Sequence, residues 1–223
     1  MNEISENLET LKKTIRRLSK RWDVNNENLE IVAVSKQQSL EKIKQALEAG
    51  HRHFGENRVQ DAYQKWNEKD GLKKDFPETC LHLIGPLQSN KASEAVALFD
   101  VIETIDRPKI VKSVSEEIKK EGRNVTCFIQ VNVGEEPQKS GVLPQDLEAL
   151  LETCHAHSLS IEGLMCIPPQ GEPAGLYFSF LKTLADKHGL KNVSMGMSND
   201  YEKAVPLAPR FVRIGSAIFG QRE

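Results

Sequence analysis

Eight short apolar runs of strand character alternate along this chain with amphipathic helical patterns, and that alternation limits the architecture more than any other feature. The strand-like runs lie near 30–34 (EIVAV), 52–54, 81–84, 100–103, 126–133, 160–165, 192–195 and 211–214. Helical patterns follow over 40–47, 58–66, 89–98, 109–120, 144–154, 177–188 and 199–207. Strands that alternate with helices, with no long series of consecutive strands, require parallel crossover connections. Eight such units are the number that closes a (β/α)₈ TIM barrel, and 223 residues fall within the range of that α/β fold. An open, doubly wound sheet is the runner-up. Ile4, Leu8, Leu11, Ile15 and Leu18 form one apolar stripe ahead of the first strand, which predicts an extra N-terminal helix, within residues 1–25, packed on the barrel. No repeat, low-complexity tract or linker interrupts the pattern, so 1–223 reads as a single barrel domain. The lysine-rich stretch 67–75 reads as a solvated loop.

Charge and composition narrow the function. Thirty Lys and Arg against 32 Asp and Glu leave a formal net charge of -2, which argues against a partner held by phosphate neutralisation along nucleic acid. No run approaches the roughly 18 apolar residues of a membrane span. The first residues carry neither the basic nor the apolar part of a secretion signal. Cys80, Cys127, Cys154 and Cys166 are scattered without a C-x-x-C pair, as reduced thiols of a cytoplasmic protein would be. His51 and His53 alternate as a metal pair on a strand could, but no Cys or His partner is obvious in the sequence. They read as strand-surface histidines, and no metal is expected.

The chemistry is expected where the strands end. Lys36 closes the run Ile31-Val32-Ala33-Val34-Ser35-Lys36, which places an amine at the carboxyl rim of the sheet. A lysine partly desolvated there can attack a carbonyl, although most strand-end lysines are merely solvated. The loops after strands seven and eight, Ser194 to Ser198 and Arg213 to Ser216, lie where such barrels frequently hold a phosphate. Gly196 and Gly215 would admit a close approach, and the Ser198 and Ser216 hydroxyls would donate to it. Ser198 is also placed to cap the helix over 199–207. The alternative is that these are turn glycines and a simple cap. The stretch 85–91 lacks the second glycine of a nucleotide-binding phosphate loop. A Schiff-base lysine facing a phosphate cradle suits a phosphorylated aldehyde, of which pyridoxal 5′-phosphate is the commonest cofactor. Arg213 would then either donate to the pyridine nitrogen, keeping the ring neutral, or close a salt bridge at the barrel end.

Seven collinear stretches carry a resemblance. They are AVSK (33–36), HFGENRVQDA (53–62), LHLIGPLQSNK (81–91), IQVNVGEEPQKSG (129–141), IEGLMCIP (161–168), SMGMSNDYEKAV (194–205) and VRIGSAIFGQR (212–222). Together they resemble the pyridoxal phosphate homeostasis protein family, which is similar to the amino-terminal barrel of alanine racemase. The resemblance implies a cytoplasmic, usually monomeric (β/α)₈ protein that holds pyridoxal 5′-phosphate as an imine on Lys36. It places phosphate ligands on Ser198, Gly215 and Ser216, an arginine facing the ring nitrogen on Arg213, and pocket-lining roles on Asn57 and Met165. Serine stands at 216 where family members often have threonine. Asp106-Arg107 and Lys139-Ser140-Gly141 fit further family motifs.

The implied function is intracellular pyridoxal phosphate homeostasis: binding, buffering or delivering vitamin B6 cofactor, with effects on amino-acid and keto-acid balance. Apo-enzymes that need the cofactor are the implied partners, without nucleic acid or membrane. The alternative is a weak amino-acid racemase. Racemisation by two bases is not expected, because the chain has no room for the racemase's second domain and the partner base it brings.

Overall fold

The computed structural model describes residues 2–221. In chain order the elements are α1 Glu3–Trp22, β1 Glu30–Val34, α2 Leu40–Glu48, β2 His53–Glu56, α3 Val59–Trp66, α4 Leu72–Asp75 and β3 Cys80–Leu83. There follow α5 Ala92–Leu98, β4 Val101–Ile105, α6 Pro108–Glu121, β5 Thr126–Gln130, α7 Leu147–Ala156 and β6 Ile161–Met165. The last are α8 Ala174–Lys187, β7 Asn192–Met197, α9 Tyr201–Ala204, β8 Phe211–Ile214 and α10 Ser216–Phe219. The strands close a barrel in sequence order, every neighbouring pair parallel, and β8 returns to pair with β1. Closure rules out the open doubly wound sheet. Each strand run the sequence indicates is present, shifted by a residue or two at its ends, and β5 stops at Gln130.

Two apolar regions hold the barrel. The larger lies between the sheet and its ring of helices. It includes Ala33 of β1, Phe54 of β2 and Trp66 of α3, all fully buried. The smaller joins Val32, Val101, Phe128, Met165 and Phe211. These come from β1, β4, β5, β6 and β8, strands spread around the circumference, so their side chains can meet only inside the barrel. That interior is also polar: His82, Glu103, Ser194 and Arg213 are each at most 3% exposed.

α1 forms for the reasons its sequence gives. Asn2 caps it, its side chain accepting from the Ser5 N–H at 2.8 Å, and Glu3 and Glu6 complement the dipole in the first turn. Its five-residue apolar stripe is buried, each side chain stabilising by ~2 kcal/mol relative to exposure. The helix crosses the seam between the beginning and end of the barrel. Asn7 Nδ2 donates to Ile218 O at 3.0 Å and Asn26 Nδ2 to Val205 O at 3.2 Å.

The stretch 67–75 corrects the sequence reading. It contains α4, and Lys73 on that helix is 7% exposed. Its ammonium donates to Asp100 Oδ2 at 2.7 Å and to Leu98 O at 3.2 Å. Asp100 also accepts from the Leu81 N–H at 2.8 Å and from Arg123 Nη2 at 2.9 Å. A lysine on a surface loop is indistinguishable in sequence from one whose carboxylate arrives 27 residues later.

Candidate functional site

Because all eight strands are parallel, their carboxyl ends open at one end of the barrel. Lys36 lies two residues past β1, half-buried, in a turn whose next residue, Gln37, takes a φ of 59°. β1 and β8 are adjacent, with Val32 paired to Arg213 and Ala33 to Ile214. The turn bearing Lys36 therefore stands beside the loop Gly215-Ser216. A Cβ placed on Gly215 would meet Val34 Cβ at 3.5 Å, so these two strand ends lie in ordinary packing contact.

Ser198 departs from its expected role. Asp200, not Ser198, holds the N-cap position of α9, and Asp200 Oδ1 accepts from the Met197 N–H at 2.6 Å. The Ser198 hydroxyl accepts instead from the Gly215 N–H at 3.1 Å. The turn at Met197–Asp200 delays the helix by two residues, and Pro206 tightens its far end to a 3₁₀ turn. Two of the residues expected to hold phosphate are thus joined to one another across the loops after β7 and β8. Ser216 is exposed at the start of α10. Gly196, with a φ of 94°, is required where β7 passes the backbone of Tyr201. An added Cβ there would lie 2.9 Å from Tyr201 Cα.

Asn57 follows β2, half-buried, and its carbonyl lies against Gly85, where a Cβ would come within 2.2 Å of Asn57 O. Met165 ends β6 and is fully buried in the barrel interior. The residues named for the pocket thus lie at or just past the carboxyl ends of β1, β2, β6, β7 and β8. Arg213 sits deepest, one residue before the end of β8.

Arg213 is 3% exposed and held by its surroundings. Nη1 donates to Ser194 Oγ at 2.5 Å, and Nη2 to Cys166 O at 2.7 Å. Glu103 Oε2 is 3.7 Å from Nη1, so the salt bridge weighed as an alternative for this arginine is present. These two hydrogen bonds leave guanidinium N–H groups to spare. The contacts extend into a chain: the Ser194 hydroxyl donates to Glu103 Oε2 at 2.6 Å, and His82 Nδ1 donates to Glu103 Oε1 at 2.7 Å. Burial pushes the Glu103 carboxyl up, but the hydrogen bond from His82, the Arg213 guanidinium and the Ser194 hydroxyl outweigh it. They hold Glu103 below the usual carboxylate range.

A second buried acid supports Lys36 from below. Glu56 is 1% exposed, and its Oε1 accepts from Ser35 Oγ at 2.8 Å, Lys65 Nζ at 3.0 Å and Trp66 Nε1 at 3.2 Å. Lys65 Nζ also donates to the Ser35 carbonyl at 2.9 Å. Both the side chain and the carbonyl of the residue before Lys36 are therefore fixed. Sequence reasoning missed Glu56, Glu103 and Ser194. For the two glutamates the sequence offers a charge within a short apolar strand, but not the partner it meets.

The Asp106 side chain, past β4, is only 9% exposed; burial raises its carboxyl, and Arg107 beside it pulls the other way. Arg107 Nη2 donates to Leu87 O at 2.9 Å, and Lys139 Nζ to Pro168 O at 3.2 Å. These motif residues tie loops of the same barrel end together.

Comparison with known proteins gives the family. The family described as alanine racemase, N-terminal domain, matches residues 6–223. The pyridoxal phosphate homeostasis protein of Vibrio cholerae is 37% identical, over 100% of this chain and 98% of its own length. That of Pseudomonas aeruginosa is 36% identical over 100% of this chain and 97% of its own. The solved structure of PipY from Synechococcus elongatus with pyridoxal phosphate bound has a TM-score of 0.82 and 33% identity, covering 97% of this chain and all of that one. An alanine racemase of Clostridium difficile shares the fold alone, at a TM-score of 0.72 and 14% identity, with this chain spanning 57% of its length. With a closed (β/α)₈ barrel, an extra N-terminal helix and near full-length similarity to the two homeostasis proteins, the chain belongs to the alanine racemase N-terminal domain family, among the pyridoxal phosphate homeostasis proteins.

Proposed function

We propose that this chain binds pyridoxal 5′-phosphate at the carboxyl end of the barrel and maintains its intracellular supply. Lys36 is the covalent anchor, Ser198, Gly215 and Ser216 cradle the phosphate, Arg213 faces the ring nitrogen, and Asn57 and Met165 line the pocket. The observation that carries the reading is the pairing of β1 with β8. It sets the Lys36 turn against Gly215, whose N–H is joined to the Ser198 hydroxyl, so the amine and two of the expected phosphate ligands share one corner of the barrel mouth. The donor set suits a phosphorylated aldehyde. When bound, the cofactor supplies a carbonyl that an amine can capture. PipY, a relative of matching length, binds it.

The chain's own residues do the rest. Glu56 and Lys65 hold Ser35, and through it the turn that presents Lys36. Arg213, already neutralised by Glu103, has no proton to lose and donates to the pyridine nitrogen without protonating it. A ring kept neutral is a weak electron sink, which suits storage and release of the cofactor more than carbanion chemistry. We read 1–223 as one cytoplasmic, monomeric barrel domain that gives up cofactor to apo-enzymes by exchange with an incoming amine.

The test is intact mass before and after borohydride reduction in the presence of cofactor, followed by peptide mapping. One reduced adduct on Lys36, absent in Lys36→Ala, supports the reading; an adduct that persists in the variant overturns it. Incubation with single L-amino acids and chiral analysis separates storage from racemisation.

A further inference from the structure

We propose that His53, Cys80 and His82 form a binding site for a borderline-soft divalent metal, zinc in the first place, at the amino-terminal end of the barrel, opposite Lys36. His53 opens β2 and Cys80 opens β3, and these two residues are register partners. His82 stands two residues further along β3, on the same face as Cys80. Their ligand atoms all lie within 4.8 Å of one another. His53 Nδ1 and His82 Nε2 are 3.0 Å apart, and Cys80 Sγ is 3.6 Å from the same His82 nitrogen. A tetrahedral zinc, with bonds of about 2.0–2.1 Å to nitrogen and about 2.3 Å to sulfur, requires edges of about 3.3 and 3.5 Å. To admit an ion the nitrogen pair opens by a few tenths of an ångström, and the His53–Cys80 pair, within 4.8 Å, settles at about 3.5 Å.

The surroundings are those of a metal ligand set. His82 is fully buried, and its other nitrogen is bound to Glu103 at 2.7 Å, the carboxylate–histidine arrangement that orients a ligating ring and fixes its tautomer. Glu103 is an acceptor there, so in the neutral ring Nδ1 carries the proton and Nε2 presents its lone pair toward His53 and Cys80. Two donors, the His53 N–H and the Cys80 thiol, converge on that one lone pair. A cation would resolve the competition by taking all three. Phe211 walls the site, its ring centroid 4.7 Å from that of His82 and 6.1 Å from that of His53. Asp100 and Glu103 favour a cation here, while Lys73 and Arg210 oppose it.

Three protein ligands leave one position for water, on the side where His53 and Cys80 are only half-buried. The protons balance simply. The thiol proton leaves to solvent, and His53 transfers its proton from Nδ1 to Nε2 through water, so one proton is released per ion and no electrons move. His51, the partner suggested by sequence alternation, takes no part; its Nε2 bonds His53 O at 2.8 Å.

The site is independent of the cofactor reading, and its test is too. Untagged full-length protein is loaded with cobalt(II) alone or zinc(II) alone, dialysed, and measured by elemental analysis and absorption. The expected result is a single retained ion per chain, with the intense visible bands and thiolate charge transfer of four-coordinate cobalt. Cys80→Ser and His53→Gln, both at half-exposed positions, should each weaken retention by about tenfold or more while circular dichroism is unchanged. Absence of a retained ion, a weak six-coordinate spectrum, or equal retention in wild type and both variants overturns the proposal. The wild-type spectrum decides the matter if a variant fails to fold.

Discussion

The Glu103 carboxylate receives a hydrogen bond from His82 over 2.7 Å, with both side chains at 0% exposure in the barrel interior. It also faces Arg213, so one acid holds two cationic or donor groups that come from different strands. Glu103→Gln should destabilise the protein by about 3–5 kcal/mol, because Arg213 is left buried without its countercharge. Urea unfolding measures this. Glu103 is held below the usual carboxylate range, so its contribution is complete above the unfolded value near 4.5 and is lost as pH falls through the folded value. The variant should lose that part of the acid limb. An acid limb identical to wild type would place the ion pair elsewhere.

Gly215 separates folding from binding. Its φ is -113° and an added Cβ meets nothing closer than 3.5 Å, so Gly215→Ala should change stability by no more than ~0.5 kcal/mol. The methyl would face Val34 beside the Lys36 turn, at the edge of the proposed phosphate cradle. Crowding at that edge, with the Gly215 N–H retained, should weaken pyridoxal phosphate by about tenfold, about 1.4 kcal/mol. Pyridoxal without phosphate should bind the variant and wild type alike in an absorbance titration. Gly196→Ala is the contrast: a φ of 94° and the Tyr201 backbone at 2.9 Å should make it cost about 1–3 kcal/mol in stability.

Lys65→Ala should unfold at lower denaturant, by about 3 kcal/mol, since Glu56 would be stranded at 1% exposure. Glu56→Gln in the same chain should recover part of the loss, and a double-mutant cycle reads the coupling. Because Lys65 also fixes the Ser35 carbonyl, borohydride trapping at Lys36 should slow in Lys65→Ala. Trapping at the wild-type rate would remove Lys65 from the positioning role.

His51 supplies a pH dependence of its own. Burial first, then the Lys12 and Arg52 charges, lower it from 6.5 to about 4. A histidine whose folded pKa is depressed gives stability that is complete above 6.5 and drains away as pH falls toward 4, because the unfolded chain takes up the proton first. At about 1.4 kcal/mol per unit the whole effect is on the order of 3 kcal/mol. His51→Gln should flatten the stability profile between those pH values. Thermal melts across that window would show it, and a slope as steep as wild type would contradict it.

The order and type of the elements were set locally. Runs such as Glu30–Val34, too apolar for a surface, followed by stripes such as Ile43, Ala46 and Leu47 on α2, admit few arrangements other than parallel crossovers closing on themselves. Lys36, Ser198 and Gly215 could be placed at strand ends for the same reason: a strand's end is a local property, and chemistry in this fold collects at strand ends. What remained hidden depends on which side chains meet across the barrel. Ser194 reaches Glu103 across 91 positions of sequence, and His53 reaches His82 across 29. No local pattern distinguishes a strand glutamate that faces solvent from one that faces an arginine brought in by closure. The same is true of Lys73, solvated in sequence and buried in fact, and of Cys80, a scattered thiol until β2 and β3 align. Periodicity specifies the backbone because hydrogen bonding and burial act within each segment, but buried charge is specified only by partners that the closed sheet brings within a few ångströms.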